Sequence, residues 1–126
     1  MGKRYLIDSN IVIDFSSNVI PKKGSALLSK CLDEDPIISI ITKIELLGYK
    51  SITQEVQDLV GVSLTIGLTD EIVNQTIQIR KQYKIKLPDA IIAATAMILD
   101  LILLSRNTSD FGKIKGLNQL DLFNLK

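Results

Sequence analysis

Short apolar blocks recur along the chain, each ending in small polar or acidic side chains, and the intervals between them carry apolar residues at helical spacing. Tyr5-Leu6-Ile7 followed by Asp8-Ser9-Asn10 predicts a buried strand that delivers Asp8 to a sheet edge, with Ser9 or Asn10 capping a helical turn over 11–15. Pro21-Lys22-Lys23-Gly24 reads as a basic loop. Leu27, Leu28, Cys31 and Leu32 then predict a helix over 25–32, and Pro36 separates it from the β-branched run 37–41, a second buried strand. A helix over 42–50, another over 51–60 opening on a Ser51-x-x-Gln54 capping signal, and a strand over 62–66 follow. Thr69 opens a helix reaching Tyr83, with Asp70 and Glu71 in its first turn and Arg80, Lys81 and Lys84 toward its end, as the helix dipole favours. Leu87-Pro88-Asp89 starts an alanine-rich helix, Pro88 at its first position. A fourth strand is expected at 101–104 and a fifth at 120–125.

Strands alternating with helices predict an α/β domain: three layers, α/β/α, around a central parallel sheet of four to five strands, with residues 1–126 forming one unit. Composition narrows the chemistry. The 126 residues are 46% hydrophobic, enough for one core, since a domain of this size buries roughly two-thirds of the surface its unfolded chain exposes. Histidine is absent and Cys31 is the single cysteine. That excludes Ser-His and Cys-His catalysis, a cysteine zinc site and an intrachain disulfide. Carboxylates must therefore carry the chemistry.

A net charge of +1 gives no whole-molecule field toward nucleic acid, so any such binding rests on a local patch, and 5% aromatic content argues against base-stacking platforms. The longest nearly apolar run, 90–104, is interrupted by Asp100 and falls short of the roughly 20 residues of a membrane span. The expectation is a soluble, cytoplasmic protein with no membrane association.

Ligands of parallel sheets bind beyond the carboxyl ends of the strands. Asp8 follows strand one, Glu45 lies in the first turn of the helix after strand two, and 105–110 follows strand four. Asp89 opens the helix leading into strand four, which puts it at the opposite edge unless that helix is long or tilted. Each acid has an ordinary explanation. Thr42-x-x-Glu45 is a capping box, Asp89 favours a helix dipole, Asp110 is a turn residue, and Asp14 is a solvated surface charge. Together those explanations fare worse: two carboxylates about 4 Å apart repel by roughly 4 kcal/mol at an effective dielectric of 20. Gathered acids need a cation or shifted pKa values, and an all-oxygen donor set selects Mg²⁺ or Mn²⁺, which suits phosphoryl transfer.

Four blocks, Leu6-Ile7-Asp8-Ser9-Asn10, Thr42-Lys43-Ile44-Glu45-Leu46-Leu47, Leu87-Pro88-Asp89-Ala90-Ile91-Ile92-Ala93-Ala94 and Leu104-Ser105-Arg106-Asn107-Thr108-Ser109-Asp110-Phe111, resemble the PIN domain, and more narrowly the VapC-type toxins of toxin-antitoxin pairs. The resemblance implies a ribonuclease dependent on one or two Mg²⁺ or Mn²⁺ ions. Asp8, Glu45 and Asp89 map onto its acidic ligands, which brings Asp89 into the cluster, and Asp110 or Asn107 completes the set. Asn107 stands where some members carry Asp. Ser9, Asn10, Ser105 and Asn107 would support the ligands, with Lys43 and Arg106 as candidate phosphate contacts. An antitoxin partner and a homodimer are also implied. Alternatives are a housekeeping RNA-processing nuclease, a non-catalytic PIN-like interaction module, and a phosphotransferase with an aspartyl nucleophile, which would want a second Asp where Asn10 stands.

Overall fold

The structure, a computed structural model, describes residues 3–125. It runs β1 (Tyr5–Ile7), α1 (Ser9–Ser16), α2 (Lys22–Asp33), β2 (Ile37–Ser39), α3 (Ile40–Leu47) and α4 (Gln54–Val62). Then come β3 (Leu64–Ile66), α5 (Asp70–Gln82), α6 (Leu87–Ile98), β4 (Ile102–Leu104), α7 (Thr108–Phe111) and β5 (Gln119–Leu120). All strand pairs are parallel, in the order β3-β2-β1-β4-β5. This is the three-layer α/β/α architecture that the alternation of elements predicts.

The central strands β1 and β4 carry no Ser, Thr, amide or charged residue, because both faces of the sheet are covered. Period-two alternation sends Leu6, Ile37 and Leu103 to one side, where they meet Ile72 and Ile79 of α5 and Ala90, Ala93, Ala94 and Ala96 of α6. Ile7, Ile38 and Leu104 point the other way, into Ile11 and Val12 of α1, Leu28 of α2, Leu46 of α3, and Val56 and Val60 of α4. Full burial of each such side chain contributes roughly 1.5–3 kcal/mol. The alanines let α6 lie close to the sheet and to α5.

Several boundaries differ from the sequence expectation, each for a local reason. α1 begins at Ser9, because Asp8 itself is its N-cap. The expected basic loop is the first turn of α2, and Gly24 in that turn has no room for a Cβ, which would strike the Leu122 carbonyl. The second strand stops at Ser39, whose hydroxyl accepts from Ile41 N (3.1 Å) and starts α3 at Ile40, two residues earlier than expected. Thr53, not Ser51, caps α4, accepting from Val56 N (3.2 Å). Asn107 caps α7 within the expected polar loop. The fifth strand is cut to two residues because Asp121 turns the chain, its carboxylate accepting from Phe123 N (3.0 Å).

Two features place the site. The chain runs from β1 outward on one side to β2 and β3 and returns to the other side of β1 as β4, so a topological switch point lies between β1 and β4. α6, with 12 residues, is about 18 Å long at 1.5 Å per residue. It therefore spans the short strands and starts at their carboxyl ends, which corrects the placement of Asp89 at the opposite edge.

Candidate active site

Asp8 leaves β1 with its carboxylate turned back over the start of α1. Its Oδ1 accepts from Ser9 N (2.8 Å), and its Oδ2 accepts from Ser105 Oγ (2.8 Å) and Asn10 Nδ2 (3.3 Å). Asp8 is only 4% exposed. Burial pushes its carboxyl above the ordinary range, and the bonds from Ser105 and Ser9 oppose that rise. Ser105, fully buried at the end of β4, also accepts from Asn10 Nδ2 (3.3 Å) and Asn107 N (3.1 Å). Asn10 Oδ1 in turn accepts from Arg106 N (3.2 Å). Gln119 of β5 steadies the same loop from behind, its Nε2 donating to the carbonyls of Ser105 and Asn107 (both 3.3 Å). The ends of β1 and β4 are thus laced together through side chains.

Glu45 falls in the second turn of α3, because that helix starts at Ile40. The expected Thr42-x-x-Glu45 capping box is therefore not formed. Thr42 is instead fully buried with its hydroxyl unpartnered, and Glu45 Oε1 accepts from Ser9 Oγ (3.2 Å). Although Glu45 is open to solvent, its carboxyl is held above its ordinary range, chiefly by partial desolvation, with repulsion from Asp8 and Asp89 added and the Ser9 bond opposing. Half-buried Asp89, in the first turn of α6, is raised by burial and by repulsion from Asp8 and Asp110, with Lys86 pulling the other way. Asp110 Oδ2 accepts from Asn107 Nδ2 (3.1 Å), and Oδ1 lies 3.8 Å from Lys113 Nζ.

The structure thus links Asp8, Glu45 and Asp89 by repulsion, and Asp110 joins the set through Asp89. Among the described residues, no three acidic side chains close up into a ready cage for an ion. A spaced set of carboxylates with no thiolate or imidazole fits a hard cation such as Mg²⁺, which binds through one or two carboxylates and keeps several of its waters.

A family profile described as PIN domain matches residues 5–117. The chain belongs to the PIN domain family. Among solved structures, this PIN chain is similar to a toxin-antitoxin complex from Klebsiella pneumoniae, at 31% identity and a TM-score of 0.76 over 96% of this chain and 99% of that one. VapBC-1 from nontypeable Haemophilus influenzae is 25% identical with a TM-score of 0.76, over 95% and 98% of the two chains. FitAcB from Neisseria gonorrhoeae is 25% identical with a TM-score of 0.73, over 96% and 99%. Comparison with curated proteins gave no match.

One polar contact of this PIN domain lies outside the sequence expectation. Asp14 is not a solvated surface charge; it is 8% exposed and pairs with Arg106, whose Nε donates at 2.8 Å and Nη2 at 3.4 Å. The signal was present in the spacing, since Asn10 and Asp14 are four residues apart and share one face of α1. Arg106, expected as a phosphate contact, is thus held by a carboxylate. Lys43 lies half-buried on α3, two residues before Glu45.

Proposed function

We propose that this PIN chain is an endoribonuclease that hydrolyses RNA phosphodiester bonds with one or two Mg²⁺ or Mn²⁺ ions, and that it is the toxin of a toxin-antitoxin pair. The carrying observation is the acidic cluster itself. Three carboxylates at the carboxyl ends of the strands are held above their ordinary protonation range chiefly by burial, with repulsion from neighbouring acids adding at Glu45 and Asp89, in a chain with no histidine and one cysteine. Such a cluster is costly unless a cation offsets it. Similarity to the Klebsiella toxin-antitoxin complex supports the toxin role and an antitoxin partner; a homodimer and the cytoplasm as the site of action belong to the same proposal.

Asp8, Glu45 and Asp89, with Asp110, would hold the cation. When bound, it supplies Lewis-acid charge that makes water a nucleophile at neutral pH and offsets charge on the phosphoryl oxygens. The chain's own residues do the positioning. Ser105, Ser9 and Asn10 fix both oxygens of Asp8 in one rotamer, and Ser9 also holds Glu45, so two ligand carboxylates share one support. Asn107 orients Asp110. Water attacks phosphorus and gives up a proton to solvent, the bond to the leaving oxygen breaks, and that oxygen departs with a proton, which solvent supplies in the absence of a histidine acid.

Cleavage of an RNA oligonucleotide in Mg²⁺ or Mn²⁺ is expected to stop with EDTA and to fall at least about 100-fold in Asp8→Asn. Wild-type rates under either condition would overturn the proposal. A second reading, the non-catalytic interaction module, is favoured by one feature: an apolar groove of about 260 Å³ between α1, α3 and α4, lined by Ile13, Leu46, Tyr49, Ile52 and Val56. Failure of the chain to bind Mn²⁺ in calorimetry would favour that reading.

A further inference from the structure

The ion pair between Asp14 and Arg106 joins elements that meet at the acidic cluster, 92 residues apart in sequence. Residue 106 is docked on α1 at two points one helical turn apart: its backbone N–H on Asn10 and its guanidinium on Asp14. Asn10 also touches Asp8 and Ser105. The guanidinium is therefore fixed about one turn, roughly 5 Å, along α1 from the point where Asn10 braces Asp8.

The two partners are unequal. The Asp14 side chain is 11% exposed and that of Arg106 is 56% exposed. Of the five N–H donors on a guanidinium, Asp14 takes two, and no acceptor among the described residues takes the other three. A planar cation, oriented on its inner edge by a buried carboxylate and open on its outer edge, is the geometry for fork-like recognition of a phosphate. We infer that Asp14 is a positioning residue that presents Arg106 as a clamp for an RNA phosphate flanking the one that is cut.

The inference rests on the ribonuclease reading and makes a prediction of unusual sign. Asp14→Asn adds one unit of net positive charge, so if Asp14 merely neutralised Arg106 the variant would bind RNA more tightly. Positioning requires the opposite. With a fluorescent 2′-O-methyl RNA oligonucleotide, which resists cleavage, anisotropy in Mg²⁺ should show Asp14→Asn binding about 3- to 10-fold more weakly and Arg106→Gln about 10-fold more weakly. The log-log salt slope should shrink by about 0.7 in Arg106→Gln, one single-strand phosphate contact. The double variant should match Arg106→Gln, because the two residues act as one unit. On cleavable RNA, KM should rise with kcat within about twofold of wild type, as expected when binding common to ground and transition states is lost. Arg106→Lys, which keeps the charge and loses the fork, should resemble Arg106→Gln.

Unchanged or tighter binding by a folded Asp14→Asn, checked by its melting midpoint, overturns the inference. So does wild-type binding by Arg106→Lys, whose exposed side chain makes it a test independent of Asp14. A wild-type chain that neither binds nor cleaves RNA overturns the ribonuclease reading as well, whereas active cleavage with normal Asp14→Asn binding removes the clamp alone.

Discussion

Asp8 and Asp89 belong to one acidic cluster but are held in opposite ways. Asp8 is buried and takes hydrogen bonds from the backbone of Ser9 and the side chains of Asn10 and Ser105. Asp89 is half-buried at a helix start, and its surroundings are electrical: Asp8 and Asp110 repel it and Lys86 attracts it. One carboxylate is fixed by geometry before any ligand arrives, and the other is free to adjust when one does. Rigid first contacts with compliant secondary ones suit a hydrated cation whose inner shell is shared with substrate.

This contrast can be broken at its strong end. Asp8→Asn should lower cleavage at least about 100-fold and Asp89→Asn by less, measured as single-turnover rates at saturating Mn²⁺. Equal losses would show that the lacing around Asp8 adds nothing. Ser105→Ala leaves all four acids in place and removes the shortest side-chain bond to Asp8, so a loss of about 10- to 100-fold is expected. Its melting midpoint should also fall, because Asn107 N loses its acceptor at a cost of about 1–3 kcal/mol.

Asn107→Asp sharpens the compliant end. Its amide now donates to Asp110; a carboxylate there repels instead. Without divalent ions the variant should lose about 1–2 kcal/mol in denaturant unfolding and recover part of it in Mn²⁺. Recovery no greater than that of wild type would argue against an ion near Asp110.

The smallest effect concerns protonation. A carboxyl raised in the native state binds more protons there than in the unfolded chain, so its contribution to stability falls as pH rises from its unfolded to its native pKa. For Glu45, raised by desolvation and by Asp8 and Asp89, Glu45→Gln should melt like wild type in acid and slightly above it at neutral pH in EDTA. A variant that melts lower as pH rises would contradict the direction. Binding of Mn²⁺ to the ion-free chain, followed by calorimetry, should weaken on acidification at a higher pH than ordinary carboxylates would dictate, because raised carboxyls hold their protons against the cation.

The fold was legible because apolar blocks too short for helices, separated by helical periods, admit few arrangements, and Asp8 was legible because an apolar block stops at it. Glu45 was harder. Thr42-x-x-Glu45 satisfies the local grammar of a capping box, but Ser39 starts the helix first, and only the fold shows that Glu45 answers to Ser9, 36 residues away. Asp89 was misplaced by topology because a helix longer than the strands beside it returns to the edge where they end. Asp14 shares a face of α1 with Asn10, but its partner lies on the loop after β4, so spacing along α1 could not show what buries it. Local spacing records what a residue can do within its own element, and these three were decided between elements.

Gln119 supports the loop of Ser105 and Asn107 from β5, and Leu122 closes over Gly24 of α2. Synthesis proceeds from the N-terminus. A nascent chain that has already emerged through Asp110 carries every acid of the cluster, yet it lacks the last strand that steadies the Ser105 loop. The order of translation thus makes bracing of the Asp8 corner follow the emergence of the acids it positions.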